Sequence, residues 1–545
     1  MKLKSFIQKV NASVLGGAMV IALTSILSRI LGLVRDRLLA SSFGGEGTLD
    51  PYFAAFKVPD LVFNVLVLGA LSSSFIPVFI HYLKRDGDPG KEEAWKVANS
   101  VLNILLVLLF VLGIVLYIFA PQVIRLIAPG FDGEKAGVTI ALSRVMLIAI
   151  IFFGVSNIVS GILNAMRRFV SFAIAPVMYN LGIIIGIVFL TPRYGIMGLA
   201  YGVVCGAFLH LIIQLPSVFR VGFRYRPIID LRHEGVRKVG ALMLPRTLGL
   251  AANQIDILIN TIIGSTLAAG SITVYNFANN LQNFPINVFG VSLAVAAFPV
   301  FSEAFAEKDD EKFRGQFSKT IRRILFLMIP ISILILLLRA HIVRIVLGAQ
   351  EYSWTATYLT AQVLGYFSIS LFAQALIPTL ARAFYAHQDT KTPVRIALFC
   401  VALNVTLALI LSRIFGVVGL AIGYSITNII NMLLLYYFLR KKLGDLHDME
   451  IVRSGIRIVA ASVAMGLIVI GMKYLVVSGV NMHTFIGVFL QGSIAGLVGI
   501  VAFMVFAMLL RCNEIAIIRE FFVKIWKQIT NGNHPTVPPS DAAHE

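Results

Sequence analysis

Ser28-Arg29-Ile30-Leu31-Gly32-Leu33-Val34-Arg35-Asp36-Arg37 sets three arginines and an aspartate inside an apolar run that begins near Val14. A charge at the bilayer centre costs about 2.5–3.5 kcal/mol on insertion scales. Residues of this kind face a water-filled cavity or a partner, so they mark a site. The stretch returns as Pro245-Arg246-Thr247-Leu248-Gly249-Leu250-Ala251-Ala252-Asn253. Both copies read Arg, then Gly three on, then Asp or Asn seven on. At about 100° per residue, these positions share one helix face. Each half of the chain thus carries one wall of a central binding cavity.

The surrounding sequence is built for hydrocarbon. Of 545 residues, 58% are hydrophobic and 13% charged, and mean hydropathy is +0.87. A soluble surface of this size needs more charge. Apolar runs of about 18 residues or more recur, each long enough to cross about 30 Å of hydrocarbon. No ten-residue segments alternate in polarity as barrel strands do. The chain reads as an all-α, polytopic membrane protein of about fourteen transmembrane helices. The spans are 13–42, 50–83, 92–120, 138–165, 170–191, 195–219, 236–264, 270–303, 318–338, 354–386, 392–413, 416–440, 454–475 and 484–510.

The net charge of +19 has its explanation in the loops of one side, not in nucleic acid. That side holds Lys2, Lys4 and Lys9, Lys84, Arg85 and Lys91, Arg167 and Arg168, the Arg220–Lys238 loop, the Lys308–Arg323 loop, Lys391, Arg395 and Arg440 to Lys442. The other side holds little beyond Arg125, Lys135, Arg193, Arg339, Arg344, Arg413 and Lys473. The rule that basic loops stay inside makes the first side, and both termini, cytoplasmic. Cys205, Cys400 and Cys512 are too scattered for a disulfide or a metal site. The N-terminal apolar run is too long for a signal peptide, and Arg29 and Arg35 interrupt it.

An internal repeat divides the chain. Tyr194-Gly-Ile-Met-Gly-Leu-Ala-Tyr-Gly202 returns as Phe415-Gly-Val-Val-Gly-Leu-Ala-Ile-Gly423, Ala175-Pro176-Val177 as Thr392-Pro393-Val394, and Phe75-Ile-Pro77-Val-Phe79 as Phe298-Pro299-Val-Phe301. One repeat therefore covers six helices. An even count keeps both copies in the same orientation, with the site between them. The expected division is a first lobe at 1–230, a second at 231–445, two extra helices at 446–511, an amphipathic helix at 512–530 and a disordered tail at 531–545. The amphipathic stripe is Ile515, Ile518, Phe522, Ile525 and Ile529, flanked by Arg519, Lys524 and Lys527, with Trp526 at headgroup level.

The first-span motif, then Asp50-Pro-Tyr-Phe-Ala-Ala-Phe-Lys57-Val-Pro59, Leu244-Pro-Arg-Thr-Leu-Gly249, Phe284-Pro285 and Phe384-Tyr-Ala-His-Gln-Asp-Thr-Lys-Thr-Pro-Val394 together resemble the MurJ (MviN) family. That family holds the bacterial lipid II flippases, within the group that includes MATE exporters and polysaccharide flippases. The resemblance reaches to about residue 510. It implies two pseudo-symmetric six-helix lobes plus two extra helices that line a groove for the polyprenyl tail. It implies a cargo of undecaprenyl-pyrophosphate bearing a disaccharide-pentapeptide, and residence in the bacterial cytoplasmic membrane beside other cell-wall synthesis proteins. By position, Arg29, Arg35, Asp36, Asp50 and Lys57 match the family's cavity charges. Two places depart. Phe63 and Asn280 stand where the family commonly has arginine, while Arg246 stands where it commonly has a small residue. The expectation is that the second-lobe cation has moved from the eighth span to the seventh. Asp256, Asn260 and Asn404 offer oxygens suited to a sodium ion, without completing a shell.

Each feature has a plainer reading. Arg29, Arg35 and Asp36 also fit a structural ion pair tying two helices. Asp50 and Lys57, on one face of the second span, also fit a local charge pair. Asp60 reads as a helix cap after Pro59, and His387-Gln388-Asp389-Thr390 as a turn and cap. Arg37 lies near the interface, where it can snorkel. The amides Asn276, Asn279, Asn280, Gln282, Asn283 and Asn287 crowd the eighth span and bond across helices or face the cavity. There is no P-loop, no HExxH motif and no triad, so the chain reads as a transporter without a cofactor, not an enzyme. An ion gradient, the cargo gradient or the membrane potential must drive it; the last supplies about 2.3 kcal/mol per charge at 100 mV. Alternative readings are a flippase for another lipid-linked oligosaccharide or an amphipathic drug, and a non-transporting scaffold for cell-wall enzymes.

Overall fold

The computed structural model describes residues 14–68, 74–84, 88–348 and 351–516, with side chains except at 14–19, 68, 88–90, 244–253 and 256. The described residues form helices and connecting turns, and no strand. The first lobe comprises α1 (Val14–Phe43), α2 (Asp50–Val62), α3 (Ile76–Leu83), α4 (Asp88–Ile118), α5 (Ala120–Ile127), α6 (Gly133–Ala165), α7 (Phe169–Ile185), α8 (Thr191–Tyr194), α9 (Met197–Ile212) and α10 (Leu215–Arg220). The second comprises α11 (Glu234–Ser265), α12 (Ser271–Pro285), α13 (Ser292–Ala306), α14 (Asp310–Val346), α15 (Trp354–Ile369), α16 (Leu371–Ala386), α17 (Lys391–Phe415) and α18 (Val417–Leu443). α19 (Asp448–Val477) and α20 (Phe485–Leu509) follow. Caps legible in the sequence open several of them: Asp132, Asp309, Ser353 and Thr484 each accept from a backbone N–H three residues on.

Among the described residues, ten helical segments are long and apolar enough to cross a membrane, and α15–α16, bent by 46°, makes an eleventh. Among the described residues this does not confirm the count of fourteen. α1, the α2–α3 segment and α11 are helical but are not among the eleven. They carry the charges of the predicted site. The amphipathic helix and tail expected after residue 516 lie outside the described residues.

The repeat is written into the backbone. Gly195 and Gly416 share a rare conformation, φ 57°, ψ −142° and φ 57°, ψ −138°. Gly47 and Gly270 both have positive φ, 102° and 90°, as do two non-glycines in matching turns, Arg167 and Gln388, at 56° and 57°. π-helical turns occur at Phe63–Leu68 and at Ile286–Val291, each soon after a proline, Pro59 or Pro285. Proline removes a backbone donor and displaces the carbonyl one turn back, which favours such a widened turn.

Three apolar cores show how the lobes meet. One lies within the first lobe, around Phe75, Phe79, Leu109 and Ile158, and takes in Val236 and Val239 at the start of α11. A second lies within the second lobe and the last two helices, around Phe301, Phe317, Phe384 and Phe503. The third joins the lobes: Leu39, Leu49, Tyr52 and Leu199 pack with Phe277, Val343, Phe367 and Leu420. The lobes therefore share a core at the α1–α2 end; away from it each has its own core, with α11 packing into that of the first lobe. Within the first lobe, α7 and α9 approach backbone to backbone, since a Cβ on Gly182 would collide with Gly206.

Candidate functional site

Between the lobes lies a cavity of about 250 Å³ lined by Ser28, Arg29, Gly32, Arg35 and Asp36 of α1, Asn180 of α7, and Asn280 and Asn283 of α12. Asp36, 2% exposed, is the hub. Its carboxylate pairs with the Arg35 guanidinium at 2.8 Å and accepts from Asn280 Nδ2 at 2.9 Å across the lobe boundary. Arg35 also donates to Asn180 Oδ1 at 3.2 Å, and Asn180 Nδ2 donates to Ser28. A buried carboxylate without partners is prohibitive in this setting, and its two partners remove that cost. Arg29 lines the same cavity and has no hydrogen bond or ion pair among the described residues. One cation is committed and the other is free for an anion. The guanidinium fork suits phosphate oxygens.

Lys57 reaches across the boundary as well, donating to Asn276 Oδ1 at 3.0 Å beside a pocket of about 200 Å³. Asp50 was expected on the cavity wall and stands elsewhere. Its carboxylate accepts from Gly270 N (2.7 Å), Thr273 N (2.9 Å) and Thr273 Oγ1 (2.7 Å), closing the N-terminus of α12. A buried carboxylate is satisfied most cheaply by the unpaired N–H groups of a helix start, and the facing loop supplies them. Here Gly270 needs its positive φ of 90° and its missing Cβ, because the Gly45 carbonyl presses on it. The result is a clasp between the α1–α2 loop and the start of α12.

Other readings change with the structure. Arg37 does not snorkel to water: it donates to the Ile345 carbonyl at 2.6 Å and lies over the Phe485 ring at 5.1 Å, pinning α1 to α14 and α20. Asp60 caps nothing, since the helix continues through Pro59 and Asp60 into the π-turn. Phe63 packs on Phe153 at 5.0 Å between ring centroids. Asp389 behaves as a cap: it accepts from Thr392 N (3.0 Å) and Oγ1 (2.9 Å) and pairs with Lys442 at 3.1 Å. Burial pushes its carboxyl up, but these donors together pull it down to about 2. Arg246 and Asp256 lie on α11 with side chains outside the described residues. Asn260 lines the 200 Å³ pocket, and Asn404 lines one of about 350 Å³ that adjoins it at Asn283 and Tyr424. Sequence reasoning missed Asn180. Its signal was present, as the one amide in the apolar Phe169–Leu190 run.

A separate groove of about 550 Å³ is apolar, with Leu325, Phe372, Met432, Ile451 and Val459 among its walls, between α14, α16, α18 and α19. It offers an alkyl chain continuous hydrocarbon contact.

The sequence model of the lipid II flippase MurJ matches residues 39–495. The chain belongs to the MurJ family. It is 29% identical over 426 residues to the lipid II flippase MurJ of Burkholderia cenocepacia, covering 77% of this chain and 82% of the relative. It is 31% identical over 426 residues to the probable lipid II flippase MurJ of Buchnera aphidicola from Schizaphis graminum, with the same coverages. The fold superposes on a lipid II flippase MurJ in an inward closed conformation with a TM-score of 0.75, at 25% identity, covering 90% of this chain and 99% of that one. An inward-facing MATE family transporter of the MOP superfamily shares the fold, with a TM-score of 0.68 at 18% identity, covering 77% and 96%. The chain is thus a multi-pass membrane protein of the MurJ family, a transporter and not an enzyme.

Proposed function

We infer that this chain is a lipid II flippase that moves its cargo by alternating access of the two lobes. The observation that carries the reading is the cavity between them, where Asp36 holds Arg35 and Asn280 while Arg29 stands free for the pyrophosphate. The apolar groove beside α19 supports a path for the polyprenyl tail, which keeps it in hydrocarbon while the headgroup crosses.

The distribution of basic loops supports a cytoplasmic location for both termini. With that orientation, the core shared at the α1–α2 end supports a state closed to the outside. We propose that sodium or the membrane potential drives the cycle. Asn260 and Asn404 stand at adjoining pockets, with Asp256 one helical turn before Asn260, and replacing sodium by potassium separates the two sources. Complementation tests the function. In bacteria depleted of their own lipid II flippase, the chain should restore lipid II at the outer face, and Arg29→Ala should abolish the rescue at equal expression. A well-expressed wild type that gives no rescue refutes lipid II as cargo; rescue indifferent to Arg29 refutes the anion site.

A further inference from the structure

The wall of the cavity on the second lobe is an amide stripe. Asn276, Asn280, Asn283 and Asn287 of α12 and its π-turn recur at intervals of four, three and four, which places them on one helix face. Three cavities open onto that face. Asn276, Asn279 and Asn283 line the 200 Å³ pocket with Lys57; Asn280 and Asn283 line the 250 Å³ cavity with Arg29; Asn283 lines the 350 Å³ pocket with Asn431. Asn283 is the residue common to all three.

The neighbours of Asn283 are engaged. Asn280 donates to Asp36, Asn276 donates to the Ile272 carbonyl and accepts from Lys57, and Asn287 donates to the Asn283 carbonyl. The Asn283 side-chain amide has no hydrogen-bond partner among the described residues, and neither has that of Asn431. Amides in membrane helices ordinarily bond across helices or face a cavity. An uncommitted one at the junction of three cavities is placed for a solute.

Its chemistry selects the solute. A carboxamide has two donors and one acceptor oxygen, with no charge. It matches hydroxyl and acetamido groups, which both donate and accept. It is a poor match to a pyrophosphate, whose ionised oxygens only accept and which cations serve better. The cations described in these cavities, Arg29, Arg35 and Lys57, all stand on the first lobe. Among the described residues the two walls differ in kind, one cationic and one neutral and bifunctional.

We propose that the amide stripe of α12, centred on Asn283, is the subsite for the uncharged glycan of the cargo, while the α1 arginines hold its pyrophosphate. This rests on the lipid II reading. It explains how a wall with Asn280 in place of a cation still contributes: it contacts a different part of the headgroup.

The test compares lipid II with undecaprenyl pyrophosphate on the purified full chain, by native mass spectrometry or thermophoresis. Lipid II carries tail, pyrophosphate, glycan and peptide; undecaprenyl pyrophosphate lacks the last two. Lipid II freed of its peptide by an amidase separates them: Asn283→Leu should weaken it as it weakens lipid II, and a loss confined to the peptide-bearing lipid overturns the glycan subsite. Asn283→Leu should weaken lipid II about tenfold, the effect of one or two hydrogen bonds, and leave undecaprenyl pyrophosphate within about twofold. Arg29→Ala should weaken both. If leucine prevents folding, Asn283→Ser carries the same comparison, with lipid II alone weakened about threefold. Equal loss on both lipids, or no loss on either, overturns the subsite. A wild type that binds undecaprenyl pyrophosphate as tightly as lipid II also overturns it, and leaves the anion site standing. A wild type that binds neither overturns the flippase reading and the subsite with it.

Discussion

Removing the Asp50 carboxylate should open the end of the molecule where the lobes share a core. Asp50 is 3% exposed and takes three hydrogen bonds from the start of α12, two from backbone N–H groups and one from the Thr273 hydroxyl. Hydrogen bonds to a charged group contribute about 1.5–3 kcal/mol each, and buried donors left bare cost about 1–3 kcal/mol each. Water entering at the loop recovers part of this, so a net loss of about 3 kcal/mol is expected for Asp50→Ala. The loss falls only on the state in which the loops touch, because parted lobes expose both sides to water. The equilibrium between closed and parted lobes should therefore shift by roughly a hundredfold. Spin labels at Glu46 and Ala268, exposed positions on the facing loops, report that distance directly. Asp50→Ala should move the distribution from short to long, and Asp50→Asn, which keeps one acceptor oxygen, should fall between. An unchanged distribution would show that loop packing alone holds this end shut and would refute the clasp.

Two further outcomes follow from separate regions. A Cβ on Gly455, in the apolar groove, meets nothing within 4 Å, so Gly455→Phe should fill the groove without disturbing the fold; lipid II transport in the complementation assay should fall at least tenfold at unchanged melting temperature. Asp389→Asn keeps one acceptor oxygen for the Thr392 N–H but gives up the acceptor for the Thr392 hydroxyl and the ion pair with Lys442, and should lower stability by about 1–2 kcal/mol at pH 7. Its folded carboxyl sits at about 2 and an unfolded one at about 3.9, so its contribution is complete above about pH 4 and is lost as pH falls through about 2. The gap in melting temperature between wild type and variant should therefore hold from pH 7 to 4.5 and narrow below that; a gap that closes already at pH 5 contradicts the assignment.

Much of the architecture was legible because hydrocarbon imposes simple rules. Apolar runs had to be helices, since no other local structure satisfies every backbone group in lipid. The repeat was equally readable. The Gly195 and Gly416 turns and the Gly47 and Gly270 turns demand conformations that glycine adopts freely, so pairs of glycines at matching places mark the two copies. Charges in α1 announced a site for the same reason, as nothing but a cavity or a partner makes them tolerable there. The count of spans is not confirmed where the site lies, in α1, the α2–α3 segment and α11.

What the sequence by itself determined was therefore class, repeat and the position of the charged helix, all of which depend on neighbours along the chain. Only the tertiary structure decided partnership. Asp50 and Arg29 look alike as charged residues in flanking spans, yet one is saturated by a loop 220 residues away and the other is left free. Asp36 finds Asn280 at a separation of 244 residues, and no periodicity encodes which helix will face which. Asn283 differs from its neighbouring asparagines only in having no partner within reach, a property of the packed lobes and not of its place in the chain. A side chain's role here depends on whether its hydrogen-bonding capacity is spent, and that is set by what folding brings within about 3 Å of it.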